Sequence, residues 1–187
     1  MECELLGWPD DGPTLRLDHE QFSYAGKFVM SATGKAVVRR DTDGGSAAAS
    51  TDDGDVLAAV AFDPDRTDEG TLRCRYITVR RDRRGEGLGP KLLRFVADRA
   101  TDRGYDRVSI AVNNPYAYEA AYRAGFAYTG ETTGLAELVC AFPPDDTGRE
   151  RYQAGLDRYR DRDLTPEEDA FLASREGPPE TVDAPRS

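Results

Sequence analysis

A mixed α/β (α+β) domain, a β-sheet flanked by helices with a C-terminal helical extension, is the fold class this sequence predicts. Three observations carry it. Apolar runs of strand length fall at Lys35 to Arg40, Asp55 to Phe62, Leu72 to Val79 and Arg107 to Val112. Two amphipathic patterns of helical period open at prolines, Pro90 and Pro115, and alternate with the last two of those strands. A glycine-rich turn joins Val79 to the first helix. At 187 residues the chain suits one domain with a small appendage and can bury a substantial core.

Taken in order, residues 1–12 read as an irregular arm, with Leu5, Leu6 and Trp8 packing onto the body. Thr14 to Leu17 is expected as a first strand. Glu20 to Met30, carrying Phe22, Phe28, Val29 and Met30, suits a short helix or part of a hairpin, and periodicity leaves both open. Lys35 to Arg40 and Asp55 to Phe62 are strands, the second so apolar (VLAAVAF) that both its faces should be buried. Between them DTDGGSAAASTDDGD reads as a mobile polar loop, and Asp63 to Gly70 as a second turn. Along Leu72 to Val79 strict alternation puts Leu72, Cys74 and Tyr76 on one face and Arg73, Arg75 and Ile77 on the other.

In the helix behind Pro90, Leu92, Val96 and Ala100 fall at helical spacing, and Gly104 supplies the stop. Arg107 to Val112 follows, then a helix from Pro115 to Ala124. Two closing strands, Phe126 to Gly130 and Leu135 to Phe142, flank Glu131-Thr132-Thr133-Gly134. Residues 1–142 are thus read as the main domain, and 143–176 as a helical extension. There Arg149 to Arg160 carries Tyr152, Leu156 and Tyr159 at helical spacing, and Thr165-Pro166-Glu167-Glu168 is a capping box before Phe171 and Leu172. Such amphipathic helices need a surface to cover, and their own domain is the expected one. Residues 177–187 are expected to be disordered.

The chemistry concentrates in Arg84-Gly85-Glu86-Gly87-Leu88-Gly89-Pro90. Three glycines in five positions let backbone N–H groups converge at a helix N-terminus, where partial positive charge favours a phosphate or pyrophosphate. Arg84 adds a full charge. A phosphate-binding P-loop is excluded because Lys91 follows Pro90 and precedes Leu92, and the spacing is wrong for a dinucleotide fingerprint. The stretch resembles the R-x-x-G-x-G signature of the GNAT superfamily of acyl-CoA-dependent N-acetyltransferases, with Arg84, Gly87 and Gly89 on its fixed positions. A second stretch resembles that family's N-x-x-A helix and closing Gly-Phe, through Asn114, Ala117, Gly125 and Phe126. The resemblance covers about Lys35 to Phe142. One position departs: where the family has a Tyr, this chain has Ala121.

The resemblance implies a sheet splayed at its centre, between the strand ending at Val79 and the strand Arg107 to Val112, with pantetheine in the gap. Backbone groups of Ile77, Thr78 and Val79 would pair with the pantetheine amides. The Arg84 to Gly89 stretch and the helix start at Pro90 would hold the pyrophosphate, and Asn114 would bond the cofactor, cap its helix, or both. It implies acetyl-CoA as cosubstrate and a primary amine, on a small molecule or a protein, as acceptor, attacking directly in a ternary complex. For the acid that protonates the departing thiolate, Tyr122 stands nearest the missing tyrosine and Tyr118 is the alternative; packing is the competing role for both. A general base has candidates in His19, Glu137, Asp63, Tyr76 and water. Cys74 reads as a small core residue.

Composition narrows the classes. Asp and Glu total 35 against 25 basic residues, a formal net charge of −10, which argues against nucleic-acid binding. The only lysines are Lys27, Lys35 and Lys91, and an acidic, lysine-poor surface resembles that of halophilic proteins. Cys3, Cys74 and Cys140 are too few and too scattered for a disulfide framework, and with His19 the only histidine no metal cluster is expected. No stretch has transmembrane length and MECELLGWPDDG lacks a signal-peptide pattern, so a cytoplasmic protein away from membranes is expected. Two other classes stand beside the transferase. One is a catalytically inactive acyl-CoA-binding module, a sensor or subunit, kept open by Ala121; the other is a binder of an unrelated phosphate anion. A homodimer is compatible with either.

Overall fold

The computed structural model describes residues 1–41 and 55–182. Seven strands form one sheet in the order β1-β2-β3-β4-β5-β7-β6. They are β1 (Glu2–Gly7), β2 (Gly34–Arg39), β3 (Val56–Pro64), β4 (Thr71–Val79), β5 (Arg107–Val112), β6 (Ala127–Thr132) and β7 (Leu138–Phe142). The helices are α1 (Leu88–Arg103), α2 (Pro115–Arg123), α3 (Arg149–Arg160) and α4 (Pro166–Ala173). Only β4 and β5 run parallel; the other neighbours are antiparallel. The parallel pair needs a long crossover, and α1 provides it. The mobile loop expected over 41–55 lies, from residue 42 to 54, outside the described residues.

Two apolar layers sandwich the first half of the sheet. On one face α1 buries Leu92, Leu93, Val96 and Ala100 against Ala36, Val38, Val60 and Leu72. Fully burying one such leucine contributes about 1.5–3 kcal/mol. On the opposite face the segment 13–33 lays Leu15, Phe22 and Phe28 over Val37, Val56, Ala59 and Ala61. β3 therefore is buried on both faces, as its composition predicts.

The segment 13–33 is not a strand at Thr14 to Leu17, and between Glu20 and Met30 it forms only a 3-10 turn, Ala25–Lys27. A buried cation holds it in place. Lys35 on β2 is fully buried and its Nζ donates to the carbonyls of Pro13 (2.7 Å), Met30 (2.6 Å) and Thr33 (2.9 Å). Burial pushes its pKa down to about 8, which still leaves an ammonium with three donors at neutral pH.

The arm expected at 1–12 contains β1, paired antiparallel to β2. Its alternation is masked by Glu2 and Glu4, of which Glu4 takes an ion pair from Arg39 at 2.6 Å. Trp8 follows, edge-on to Phe62 and covered by the Arg103 guanidinium at 4.4 Å from its ring centre.

The C-terminal helices join the core. Tyr152, Leu156 and Tyr159 of α3 are buried against α2, β6 and β7, and Leu172 of α4 is buried as well. Thr165 and Glu168 make the expected capping box. Of the tail expected to be disordered, residues 177–182 are described, and the Val182 N–H donates to the Arg123 carbonyl at 2.7 Å. Residues 183–187 lie outside the described residues.

Candidate active site

The site begins with an extra residue in β4. Ala61 of β3 faces Tyr76 and Phe62 faces Cys74, so Arg75 is a bulge. A bulge turns the strand and shifts its pleat by one residue. Leu72 and Cys74 before it, and Ile77 and Val79 after it, therefore pack on the α1 side, while Tyr76 turns to the face covered by residues 13–33. Strict alternation had put Tyr76 with Cys74 and Ile77 with the arginines; the bulge reverses both. Arg75 itself is held by Asp63 at 2.5 Å.

The parallel pairing stops at the same place. β4 and β5 are joined from Thr71–Arg107 to Cys74–Ile110 and no further. Beyond it, β3 still pairs with β4 as far as Val79 and β7 with β5 as far as Val112. Residues 75–79 thus keep one partner strand and offer their other edge to a gap. The sheet is parted at its centre, and Ile77, Thr78 and Val79 border the opening. Thr78 Oγ1 is buried with no hydrogen-bond partner among the described residues.

At the mouth of the gap lies the glycine turn. Gly85 (φ +82°) and Gly87 (φ +80°) occupy the left-handed region, and Gly87 caps α1. Leu88 and Gly89 are buried at the first turn, ahead of Pro90. The first intrahelical bond runs from the Lys91 N–H to the Gly87 carbonyl, and the N–H groups of Gly87, Leu88 and Gly89 meet no acceptor among the described residues. Arg84 Nη2 reaches Ser23 at 3.1 Å, tying the turn to the segment 13–33. Glu86 pairs with Arg83 at 2.9 Å.

A cation that sequence reading missed also stands at the turn. A Cβ placed on Gly87 would lie 3.3 Å from Arg123 Nη2, so the last turn of α2 delivers a guanidinium to the turn. The available signal was its place two residues before Gly125. Asn114 caps α2, its Oδ1 accepting from the Ala117 N–H at 2.8 Å. The turn thus combines unpaired amides, a guanidinium and, at Gly87, a left-handed backbone that L side chains rarely adopt, which suits a diphosphate.

Match to a family model described as the acetyltransferase (GNAT) family extends over residues 7–126. The chain belongs to the GNAT acetyltransferase family. Its mixed sheet, parted between β4 and β5, has the form that membership predicts. Similar solved structures include a nourseothricin acetyltransferase, 23% identical over 58% of this chain and 64% of that one, TM-score 0.46. An N-acetyltransferase from Staphylococcus aureus Mu50 is 17% identical over 59% and 67%, TM-score 0.46. A Salmonella typhimurium protein solved with its cofactor acetyl-CoA is 18% identical over 59% and 64%, TM-score 0.45. The matched part thus spans less than two thirds of the nourseothricin enzyme's length. Curated protein sequences give no match.

The tyrosines named for the acid role are elsewhere. Tyr118 is fully buried and donates to the Tyr152 carbonyl at 3.0 Å; Tyr122 accepts from the Tyr128 N–H at 3.0 Å. Every ring and hydroxyl partner of the two lies on α2, β6 or α3, and burial raises both pKa values. Both thus stand in an aromatic cluster with Tyr128, Tyr152 and Tyr159. Of the base candidates, His19 is exposed, Asp63 is bound to Arg75, and Glu137 takes a hydrogen bond from Thr133 Oγ1 at 3.2 Å. Tyr76 borders the gap. Cys74 is buried, its thiol pushed up to about 12, a core residue as expected. No group of metal ligands is present among the described residues.

Proposed function

We propose that this protein transfers an acetyl group from acetyl-CoA to a primary amine, by direct attack while both are bound. The observation that supports this best is that the Arg75 bulge and the end of β4–β5 pairing fall together in β4, the strand that leads into the unpaired amides of Gly87 to Gly89. The free edge of Ile77 to Val79 would continue the sheet onto the pantetheine amides. The amides of Gly87, Leu88 and Gly89, with Arg123, would hold the pyrophosphate. When bound, acetyl-CoA supplies an activated acyl group. An N–H of the free edge near Ile77 would then face the thioester oxygen, where negative charge gathers as the amine attacks. Holding the two reactants together supplies much of the rate, so no enzyme nucleophile is required.

The departing thiolate does not need a dedicated acid. Thiol pKa values lie near about 8.5, so the anion is a tolerable leaving group and solvent can protonate it. With Tyr118 and Tyr122 engaged elsewhere, we assign that proton to water.

The test is release of CoA thiol from acetyl-CoA in the presence of a panel of amines, with the acetylated amine identified by mass. The second reading, an acyl-CoA-binding module without turnover, is favoured by Ala121 standing where the family has a tyrosine. Saturable acetyl-CoA binding with no thiol release for any amine would select it.

A further inference from the structure

The face of the gap opposite α1 carries a feature that cofactor binding does not use. Tyr76, just past the bulge, stands with Tyr24 of the segment 13–33, ring centres 5.9 Å apart and planes at 40°. Lys27 Nζ lies 5.6 Å from the Tyr76 ring centre. Tyr24 is 56% exposed and held at φ +60°, a left-handed conformation that non-glycine residues rarely adopt. Strain of that kind persists where the surroundings over-determine it, and it clusters at binding sites. Beneath the pair, Phe22 and Phe28 fix the segment, and Lys35 anchors both its ends.

Two aromatic faces meeting at an open edge attract cations through the negative potential of the rings. In this structure a primary ammonium, that of Lys27, already lies against one of them. Of the nearby arginines, Arg75 is matched by Asp63 at 2.5 Å and Arg73 by Asp65 at 3.6 Å, while Arg84 is held by Ser23 Oγ at 3.1 Å. The chain as a whole carries −10, which draws cations toward it. Thr78, two residues on and so on the same strand face as Tyr76, holds a buried hydroxyl without a partner.

We propose that Tyr24 and Tyr76 form the acceptor's docking site, and that the acceptor is an aliphatic primary amine arriving as an alkylammonium in place of the Lys27 side chain and giving up a proton to solvent before it attacks. This deepens the transferase reading and rests on it for the word acceptor, but the cation site itself can be tested without turnover. Because β4 carries Tyr76 toward the 13–33 side and Ile77 toward the α1 side, the amine reaches the gap from the face opposite the cofactor's phosphates.

The experiment is calorimetric titration of the full chain with 1,4-diaminobutane at pH 7, without acetyl-CoA. Tyr76→Leu should weaken binding about fivefold and Tyr76→Phe should keep it within about twofold, since the ring face and not the hydroxyl makes the contact. Lys27→Met should tighten it about threefold by removing the internal competitor. Thermal shift with acetyl-CoA should be the same in all four proteins, which also shows that they fold. Absence of diamine binding to the parent chain, or equal binding by Tyr76→Leu, overturns the proposal. Equal binding identifies diffuse attraction to the acidic surface, because that substitution leaves the charge unchanged. If the binding pattern holds and no CoA is released with the diamine, the cation site stands and the transferase reading fails.

Discussion

Gly87→Asp is the perturbation that reaches furthest into the phosphate site. The residue sits at φ +80°, where an L side chain costs about 1–2 kcal/mol. Its new Cβ would lie 3.3 Å from Arg123 Nη2. The carboxylate would capture that guanidinium, returning up to about 1 kcal/mol to the unliganded protein. A chain of 187 residues has an unfolding entropy near 0.4 kcal/mol per degree at about 2.1 cal/mol/K per residue, so Tm should fall by at most about 5 °C. The effect on the ligand is far larger. A carboxylate about 4 Å from a phosphate charge costs about 4 kcal/mol at an effective dielectric of about 20, close to a thousandfold in affinity. Loss of Arg123 and of the space at Gly87 adds to it.

Differential scanning fluorimetry separates the two effects. At acetyl-CoA about 100 times its Kd the parent should gain about 2.7 kcal/mol, roughly 7 °C for a chain of this size, and Gly87→Asp should gain nothing. Gly87→Ala carries the backbone cost without the charge and should keep part of the shift. A Gly87→Asp protein that folds and binds acetyl-CoA within threefold of the parent would refute the assignment of this turn to the pyrophosphate.

Arg123→Ala should weaken acetyl-CoA binding about tenfold, the worth of about 1.4 kcal/mol for one charge-assisted contact, with little change in Tm. Tyr122→Phe should leave kcat within about twofold and cost about 1 kcal/mol of stability in urea unfolding, since its hydroxyl serves the Tyr128 N–H. Lys35→Met should destabilise by about 2–4 kcal/mol, because it strands the carbonyls of Pro13, Met30 and Thr33, and should raise KM for the amine before it alters acetyl-CoA binding. Gly155→Ala would drive a methyl into the Tyr118 hydroxyl; an unfolding free energy from urea denaturation lowered by about 1–3 kcal/mol would confirm that α3 packs on α2.

The sequence made some of this legible and hid the rest for identifiable reasons. Local chemistry reads well. The Gly104 stop, the Asn114 cap and the Thr165–Glu168 box depend on residues close in sequence, and each forms. β5 was bounded to the residue because Arg107 to Val112 is apolar and flanked by breakers. What depends on a partner strand does not read. The Arg75 bulge exists only as a mismatch between β3 and β4, and nothing in LRCRYITV announces it. Yet it decides which face Tyr76 takes, since one residue of slip exchanges every side chain across a sheet.

For the tyrosines the same kind of offset operates on a helix. A position one residue from Ala121 is turned about 100° around α2, and at Tyr122 that rotation leads to β6 and α3 instead of the gap. The extension then covers the pair, because Tyr152 stacks on Tyr118 and Tyr159 meets it edge-on. With no side-chain hydroxyl aimed at the gap from Ala121, the pH profile of kcat should show no descending limb from a tyrosine acid. A limb that vanishes in Tyr122→Phe would restore that residue to the chemistry and require α2 to turn when acetyl-CoA binds.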